Sequence, residues 1–497
     1  MNGIMVQGTA SDVGKSLIVT GLCRLLANEG YAVAPFKSQN MSNNSYVTID
    51  GKEIGRAQGV QAEAARTEAS VWMNPILLKP RSDQHAEVIR FGTSYSTFSG
   101  KGYRDSFYQM GLHSIELALN NLQKDYDVIV IEGAGSPVEV NLKERELVNM
   151  KVAEMADVSV LLVADIDRGG VFASIIGTLE LLDPSEKKRV KGIIINKFRG
   201  DPELFKDGIT WLEERTGIPI VGVLPYVDHR IEGEDSLSIN DRFASKKGSI
   251  DIAVVQLPYV SNYSDFEPFQ HEDVAIRWIQ HPIDIGEADA VILPGTRSTM
   301  SDLNWLKARG FDASINDFVT RGGSIVGVCG GFQMLTNSII DEFGSDTGKS
   351  DFSAEGLGII PASTTFHEAK TTIRVSGKLH PSTNLAFMIS GYEIHLGETS
   401  FSKPDDKPFL QLDDGRSEGY YGEGGKVIGT YIHHLFHNDD WRTDWLNCLR
   451  IQKGLPIQNR VNRSQLKEIT FETLANELKP HLNWNLIKEI LFERDYK

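Results

Sequence analysis

Cysteine, long apolar runs and positive charge are all scarce in this chain. Of its 497 residues only three are cysteines (Cys23, Cys329 and Cys448), and they lie far apart. An odd, scattered set does not form a disulfide framework, which favours a reducing compartment. No apolar run reaches the roughly 20 residues that cross a bilayer, and the start MNGIMVQGT lacks the basic and apolar regions of a signal peptide. We therefore expect a cytoplasmic protein with no membrane partner.

The charge balance limits the partners further. The net charge is −16, which argues against nonspecific nucleic-acid binding. An anionic substrate would therefore need local positive charge, and the candidates that supply it are Lys15, Lys37, Arg56, Lys79 and Arg81. The segments 37–56 and 79–83 are crowded with polar side chains, which fits either recognition of a large polar substrate or ordinary surface loops.

The pattern of apolar runs predicts the fold class. Val- and Ile-rich runs alternate with helical patterns at 3–7, 31–37, 128–131, 158–164, 193–196 and 220–224. Such nearly continuous runs are typical of a parallel sheet covered on both faces. A polar linker is predicted at 241–251, and further runs follow at 252–257, 290–293, 324–328 and 427–432.

We therefore predict an α/β protein with two doubly wound, open-sheet domains. Their expected bounds are 1–240 and 251–440. The stretch 351–425 has a more antiparallel pattern, and residues 441–497 are predicted to form a short helical C-terminal extension. Ligands of such sheets bind at the carboxyl ends of the strands, so the residues that follow each run are the functional candidates.

The first candidate is the glycine loop GTASDVGKS, which joins the first run to a helical pattern. Backbone N–H groups from Gly8, Thr9, Asp12 and Gly14 can cradle phosphate at the helix N-terminus. Lys15 would reach the outer phosphates and Ser16 would hold Mg²⁺. Five residues, rather than the usual four, separate the two glycines. The pattern predicts a site for ATP or GTP.

Polar residues at other predicted strand ends complete this site. Glu132 ends VIVIE and is placed to hold Mg²⁺ directly or through water. Asn196 ends a further run, where its amide is a candidate for contacting a purine edge. Guanine-specific proteins usually carry Asn-Lys-x-Asp, and Arg199 in the fourth position favours ATP. Asp165 and Asp167 end another run, where metal binding, substrate binding and helix capping all remain open.

The second candidate site surrounds Cys329. The segment GVCGG follows a strand-like run and precedes a helical pattern, which is the arrangement of a nucleophile elbow. Gly330 and Gly295, the latter after another run, are candidates for oxyanion-hole N–H groups. In the segment YIHHLFH, His433 is the candidate base, whereas a metal site at the three histidines lacks supporting carboxylates or cysteines.

Together these motifs resemble those of a known family. GTASDVGKS and EGAGS are similar to the dethiobiotin synthetase-like, P-loop ATP domain, and GVCGGFQML with YIHHLF is similar to the class I glutamine amidotransferase domain. Their order, with PFKSQNMSNNSYVT, MNPILLKP, ADIDRGGVFAS and GYEIHLGET, resembles the cobyric acid synthase family along nearly the whole chain.

The resemblance implies ATP- and glutamine-dependent amidation of the b, d, e and g carboxylates of adenosylcobyrinic acid a,c-diamide, a corrinoid. Lys15, Ser16 and Glu132 match the nucleotide and Mg²⁺ positions, and Cys329 and His433 match the glutaminase positions. No tightly bound prosthetic group is expected. Related glutaminases carry His-x-Glu, but Leu435 follows His433 at that spacing, so no third catalytic member is identifiable.

Two alternatives remain open at this point. One is a related amidotransferase that acts on other carboxylates, such as cobyrinic acid a,c-diamide synthase. The other is a P-loop ATPase switch protein with a vestigial glutaminase domain, which the complete Cys329 turn argues against.

Overall fold

Two compact units make up this protein, and neither is continuous in sequence. The computed structural model describes residues 1–80, 85–99, 102–103, 106–227, 247–383, 385–401 and 407–492. The first unit contains the described residues of Met1–Ser42, Lys52–Glu232 and Ser464–Lys497. The second contains those of Asn43–Gly51 and Gly233–Arg463. Most of the predicted linker lies outside the described residues.

The first unit is built on a parallel sheet, as predicted. Its six strands, in spatial order, are Ile220–Pro225, Val190–Phe198, Ser159–Asp165, Gly3–Gly8, Val128–Glu132 and Val33–Phe36. Apolar residues of these strands are almost completely buried, because helices cover both faces. The register pairs Gly8 with Val163, Val6 with Glu132 and Asp165 with Asn196. The predicted ligand side chains therefore end neighbouring strands at one edge of the sheet.

A second, four-stranded sheet in this unit has no counterpart in the sequence prediction. Its strands, in spatial order, are Gln39–Met41, Ile76–Pro80, His85–Arg90 and Thr93–Ser99. Part of the polar segment predicted as loop is therefore strand. The first unit also contains the short strand Glu53–Gly55. Helices of the unit are Lys15–Asn28, Arg56–Ala64, Tyr108–Asp125, Met150–Ala156, Val171–Leu181, Pro184–Lys187 and Lys206–Thr216, with 3₁₀ turns at Val71–Met73, Val140–Arg145 and Pro202–Phe205.

The C-terminal helices do not form a separate layer of their own. After Asp439–Gln452 in the second unit come Arg463–Leu478, the 3₁₀ turn Lys479–His481 and Trp484–Phe492, which pack in the first unit. The buried guanidinium of Arg24 contacts Glu468 at 3.1 Å and Glu472 at 3.4 Å. Gly21 faces Leu478 so closely that a Cβ there would overlap the leucine. The stretch predicted as one extension is thus shared between the units, because its apolar residues complete the core around the phosphate-loop helix.

The second unit also contains the predicted parallel sheet. Its strands, in spatial order, are Val274–Ile279, Ile250–Val255, Ala290–Leu293, Ser324–Val328, Val427–Thr430 and Tyr420–Gly422. All neighbours are parallel except the last pair. Its helices are Thr299–Ala308, Phe311–Thr320, Gly330–Leu335 and Asp439–Gln452, with 3₁₀ segments at Tyr263–His271, Pro282–Ile285, Pro381–Thr383, Glu423–Gly425 and Leu435–His437.

A mostly antiparallel sheet completes this unit and accounts for the loop-rich pattern seen in sequence. Its strands are Thr336–Asp341, Phe352–Glu355, Ile360–Leu379, Met388–Phe401, Leu410–Leu412, Ser417–Glu418 and Ile432–His433. The run predicted as one strand at 427–432 therefore divides between two sheets. The change occurs at Tyr431, whose N–H donates to buried Glu418 at 2.6 Å. Ser45–Val47 is a further short strand of this unit.

These two sheet systems confirm the predicted α/β fold class with a helical C-terminal segment. Among the described helices, none combines the length and apolar character that a bilayer crossing requires.

Candidate active sites

The glycine loop between the first strand and the first helix forms a closed turn around Lys15. Gly14 has φ +98°, and a Cβ there would overlap the Asn196 amide, so this position requires glycine. Lys15 is buried and its Nζ donates to Ala10 O at 3.0 Å and to Gly135 O at 3.1 Å. The ammonium is thereby held over the loop backbone, where a nucleotide phosphate would meet it.

The start of the loop is fixed to the neighbouring strand. A Cβ on Gly8 would lie 2.6 Å from Val13 Cγ2 and 2.9 Å from Ala10 O, so glycine lets the loop close on itself. The N–H of Thr9 donates to Val163 O at 2.9 Å and thus continues the sheet. These contacts shape the loop, and direct binding of phosphate by Thr9 stays a prediction.

Asn196 and Lys197 brace the loop from the adjacent strand. Asn196 Nδ2 donates to Val13 O at 2.8 Å. Lys197 Nζ donates to Asp12 O at 2.7 Å and forms an ion pair with Asp165 at 2.8 Å. The Asn196 amide, predicted to contact a purine edge, therefore faces the phosphate loop, and any contact with the base stays a prediction.

Glu132 lies at the centre of a buried hydrogen-bond network beside the loop. Ser16 Oγ donates to its Oε1 at 2.8 Å, Lys37 Nζ contacts the same oxygen at 3.0 Å, and Gln61 Nε2 donates to Oε2 at 2.5 Å. Burial alone would raise the pKa of Glu132, but the charge of Lys37 and these hydrogen bonds hold it below its ordinary value.

An ionised carboxylate next to a P-loop hydroxyl is an oxygen donor set that suits Mg²⁺. Ser16 and Glu132 would hold the ion together with nucleotide phosphates. Elsewhere in the described part of the chain, no group of three or more His, Cys, Asp or Glu side chains is arranged to hold a metal.

The other predicted basic residues are paired, buried or outside the described residues. Lys37 pairs with Glu132, and Lys79 forms a buried ion pair with Glu53. Arg56 is 2% exposed. The segment 81–84, with Arg81, is not described.

In the second unit, Cys329 occupies the tip of a strand–turn–helix, as the sequence predicts for an elbow. It follows Ser324–Val328, precedes Gly330–Leu335 and has φ +50°, a left-handed conformation that a non-glycine residue seldom adopts. A Cβ on Gly331 would overlap the carbonyl of Leu293, so the turn tolerates only glycine there. The strained turn presents the thiol beside a helix N-terminus.

His433 links this thiol to an acid that sequence analysis does not identify. Its Nδ1 lies 2.8 Å from Asp265 Oδ2, and the backbone N–H of His434 donates to Asp265 Oδ1 at 2.7 Å. Burial would lower the pKa of His433, but the charge and hydrogen bond of Asp265 and the interaction with Cys329 raise it to about 10. The arrangement of Cys329, His433 and Asp265 fits a nucleophile, a base and its orienting acid, and these roles stay a prediction.

The acid escapes sequence analysis because no local motif marks it. Asp265 lies 168 residues before His433 in the segment Tyr263–His271, within the unremarkable letters NYSDFE. Its place beside His433 comes from the packing of that segment against the strand end that carries His433.

The two predicted oxyanion residues lie near these side chains. A Cβ on Gly295 would lie 2.8 Å from His433 Cε1 and one on Gly330 would lie 2.5 Å from Thr296 Cγ2. Glycine is therefore the residue that fits at both positions. Their donation of hydrogen bonds to an oxyanion stays a prediction.

Comparisons with known proteins agree with both halves of this description. Residues 4–237 match the family described as CobQ/CobB/MinD/ParA nucleotide binding domain, and residues 251–441 match the CobB/CobQ-like glutamine amidotransferase domain. Proteins named cobyric acid synthase are similar over almost the full length. That of Geobacillus thermodenitrificans is 46% identical over 494 residues, with 98% of each chain covered.

Two further relatives with this name show the same coverage. That of Geobacillus kaustophilus is 47% identical over 495 residues, which cover 98% of this chain and 97% of the relative. That of Synechococcus elongatus is 43% identical over 487 residues, which cover 97% and 98%.

Proposed function

Because this chain belongs to the cobyric acid synthase family, we propose that it amidates the b, d, e and g carboxylates of adenosylcobyrinic acid a,c-diamide, using glutamine and ATP, in cobalamin biosynthesis. It is a glutamine-hydrolysing amide ligase. The observation that carries the proposal is that one chain holds two clusters of side chains: Lys15, Ser16 and Glu132, which suit a nucleotide, and Cys329, His433 and Asp265, which suit glutamine.

The glutaminase reaction follows from the second set. The Cys329 thiol gives its proton to His433 and its sulfur attacks the side-chain amide carbon of glutamine. N–H groups of Gly295 and Gly330 stabilise the oxyanion, and the imidazolium gives its proton to the departing ammonia. Water then attacks the thioester, with His433 as base, and releases glutamate. Asp265 keeps a proton on Nδ1, so that Nε2 is the basic nitrogen throughout.

The synthetase reaction uses the first set. A corrinoid carboxylate oxygen attacks the γ-phosphorus of ATP, giving an acyl phosphate and ADP. Lys15 and the loop N–H groups neutralise charge on the phosphates. Mg²⁺, when held by Ser16 and Glu132, adds further neutralisation of the transferring phosphoryl group. Ammonia attacks the acyl carbon and phosphate leaves, which forms the amide.

A split of activities tests the assignment. Cys329→Ala should lose glutamine-dependent amidation yet keep amidation from high ammonium, because only the ammonia source is removed. Lys15→Ala should lose both. Cys448→Ala, at an exposed cysteine, is the matched control and should behave as the wild type. Glutaminase activity in Cys329→Ala would contradict the proposal.

Mass spectrometry of the corrinoid product decides among the alternatives. Four carboxylates converted to amides support the proposed substrate, whereas conversion of only the a and c positions of cobyrinic acid would identify the related synthase. ATP hydrolysis that is independent of corrinoid and glutamine, and insensitive to Cys329→Ala, would identify the switch protein.

A further inference from the structure

A short segment from the nucleotide-binding half of the sequence packs in the second unit. Asn43–Gly51 lies within the stretch that matches the nucleotide-binding family, yet it belongs to the second compact unit. Asn44 Oδ1 accepts a hydrogen bond from Tyr263 N at 3.1 Å, and Arg374 Nε donates to Val47 O at 2.7 Å. The segment is therefore held by specific polar contacts.

Ser45 in this segment joins the two side chains that flank the catalytic imidazole. Its N–H donates to Asn262 Oδ1 at 3.0 Å, and its carbonyl accepts from Tyr392 Oη at 3.3 Å. The Tyr392 ring stacks on His433, with centroids 5.3 Å apart. Asn262 Nδ2 lies 3.1 Å from His433 Nε2. One buried residue is thus connected to both neighbours of the base.

The Ser45 N–H fixes which way the Asn262 amide points. A backbone N–H can only donate, so the amide oxygen must face Ser45 and the NH₂ group must face His433. The NH₂ group then donates to Nε2, the same nitrogen that has to take the proton of Cys329. A protonated Nε2 would meet the amide hydrogens directly, so the seated segment works against the rise in the pKa of His433 that Asp265 causes.

We propose that Asn43–Gly51 gates the glutaminase: while it is seated, Ser45 holds the Asn262 amide on His433 Nε2, and when it withdraws, Nε2 is released to accept the Cys329 proton. This inference rests on the proposed function of Cys329 and His433. Asn262 is a positioning residue in it, since it acts only through the imidazole.

The chain on either side of the segment indicates what moves it. Lys37, before the segment, and Gln61, after it, both contact the carboxylate of Glu132. Mg²⁺ and nucleotide phosphate bound at Glu132 would compete with these side chains for its oxygens. Occupation of the nucleotide site therefore releases the segment, and glutamine hydrolysis is delayed until ATP and Mg²⁺ are bound.

The test measures glutamate release from the full chain with and without ATP, Mg²⁺ and adenosylcobyrinic acid a,c-diamide. In the wild type we expect these additions to stimulate the rate at least about five-fold, the lower end of ordinary coupling between sites. Asn262→Gly removes the amide and suits the left-handed φ of +53°. This variant should raise the rate of glutamate release without additions by a similar factor. ATP, Mg²⁺ and the corrinoid should then leave its rate about unchanged.

Two further variants keep the test decisive. Ser45→Pro removes the N–H in an extended segment and should change both rates in the same direction as Asn262→Gly. Asn337→Gly makes the same side-chain deletion at an exposed position and should match the wild type. Ammonia-dependent amidation should be unchanged in Asn262→Gly, because it does not use His433.

Either of two results would overturn the gate. One is a wild-type rate of glutamate release that the additions do not stimulate. The other is a rate without additions in Asn262→Gly that is equal to or below that of the wild type. Glutaminase activity that persists in Cys329→Ala would instead refute the proposed function, and the two failures are thereby distinguishable.

Discussion

Replacement of Asp265 by asparagine tests the catalytic role that the structure gives this residue. The carboxylate accepts two hydrogen bonds, from His433 Nδ1 at 2.8 Å and from the His434 N–H at 2.7 Å. Asparagine offers only one acceptor oxygen. If that oxygen keeps the backbone N–H of His434, the new NH₂ group faces Nδ1 and the ring must carry its proton on Nε2. The base would then be in the wrong tautomer to receive the Cys329 proton.

The size of the effect follows from this change of tautomer. The corresponding substitution in a serine-protease triad reduces kcat by about 10⁴, equivalent to about 5.4 kcal/mol in the barrier. We expect a loss of about 10³–10⁴ in glutamine-dependent kcat. The pKa of His433, about 10 in the wild type, should also fall, since burial lowers it and the opposing charge of Asp265 is gone.

The assay compares glutamate release and ammonia-dependent amidation in the same preparation. Ammonia-dependent amidation should remain at the wild-type level, which shows that the variant is folded. Asp317→Asn, on an exposed helix where Asp317 pairs only weakly with Arg321, is the matched control. A glutaminase rate in Asp265→Asn within about three-fold of the wild type would refute the acid's role in positioning the base.

Two further predictions concern stability. Burial raises the pKa of Glu418 from 4.5 to about 8, so its contribution to the free energy of unfolding is complete below pH 4.5 and is lost as the pH rises through about 8. Glu418→Gln should therefore gain stability relative to the wild type between pH 5 and pH 9 in urea unfolding, and an equal difference at both pH values would contradict this. Gly331→Ala should lower the free energy of unfolding by about 1–3 kcal/mol and abolish glutaminase activity, because the new Cβ would overlap the Leu293 carbonyl. Gly177→Ala, in a helix with open space around it, is the control and should be neutral or stabilising by about 0.5–1 kcal/mol. A wild-type Tm for Gly331→Ala would contradict the close packing at this turn.

Much of the fold could be predicted from the sequence because the strands of a buried parallel sheet have a local apolar pattern. Continuous Val- and Ile-rich runs give the central strands of both parallel sheets, and the glycine loop follows the first of them. The four-stranded sheet that includes Gln39–Met41 and Ile76–Pro80 could not be predicted in this way. Its strands are short and partly polar, so hydrogen bonds between distant segments, rather than a local apolar pattern, define them.

The residues of the candidate sites likewise fall into those that a local motif marks and those that only folding brings together. Lys15 and Ser16 begin the helix after the first strand, whereas Glu132, Cys329 and His433 lie at or directly after the end of a strand. All five belong to short motifs, which are local in sequence. The backbone geometry that they require is local too, as the φ values of Gly14 and Cys329 show.

Only the tertiary structure supplied the partners of these residues. Asp265 comes next to His433 across 168 positions, and Ser45 reaches Asn262 across 217, without any motif at either end. The C-terminal helix that pairs with Arg24 is more distant still, at 444 positions from Glu468. The sequence by itself determined which side chains are the candidates for the two sites, because these lie in turns whose local geometry selects the residues. Which acid lies next to His433, and which segment contacts Asn262 beside it, was decided by packing between segments far apart in the chain, where no spacing records the contact.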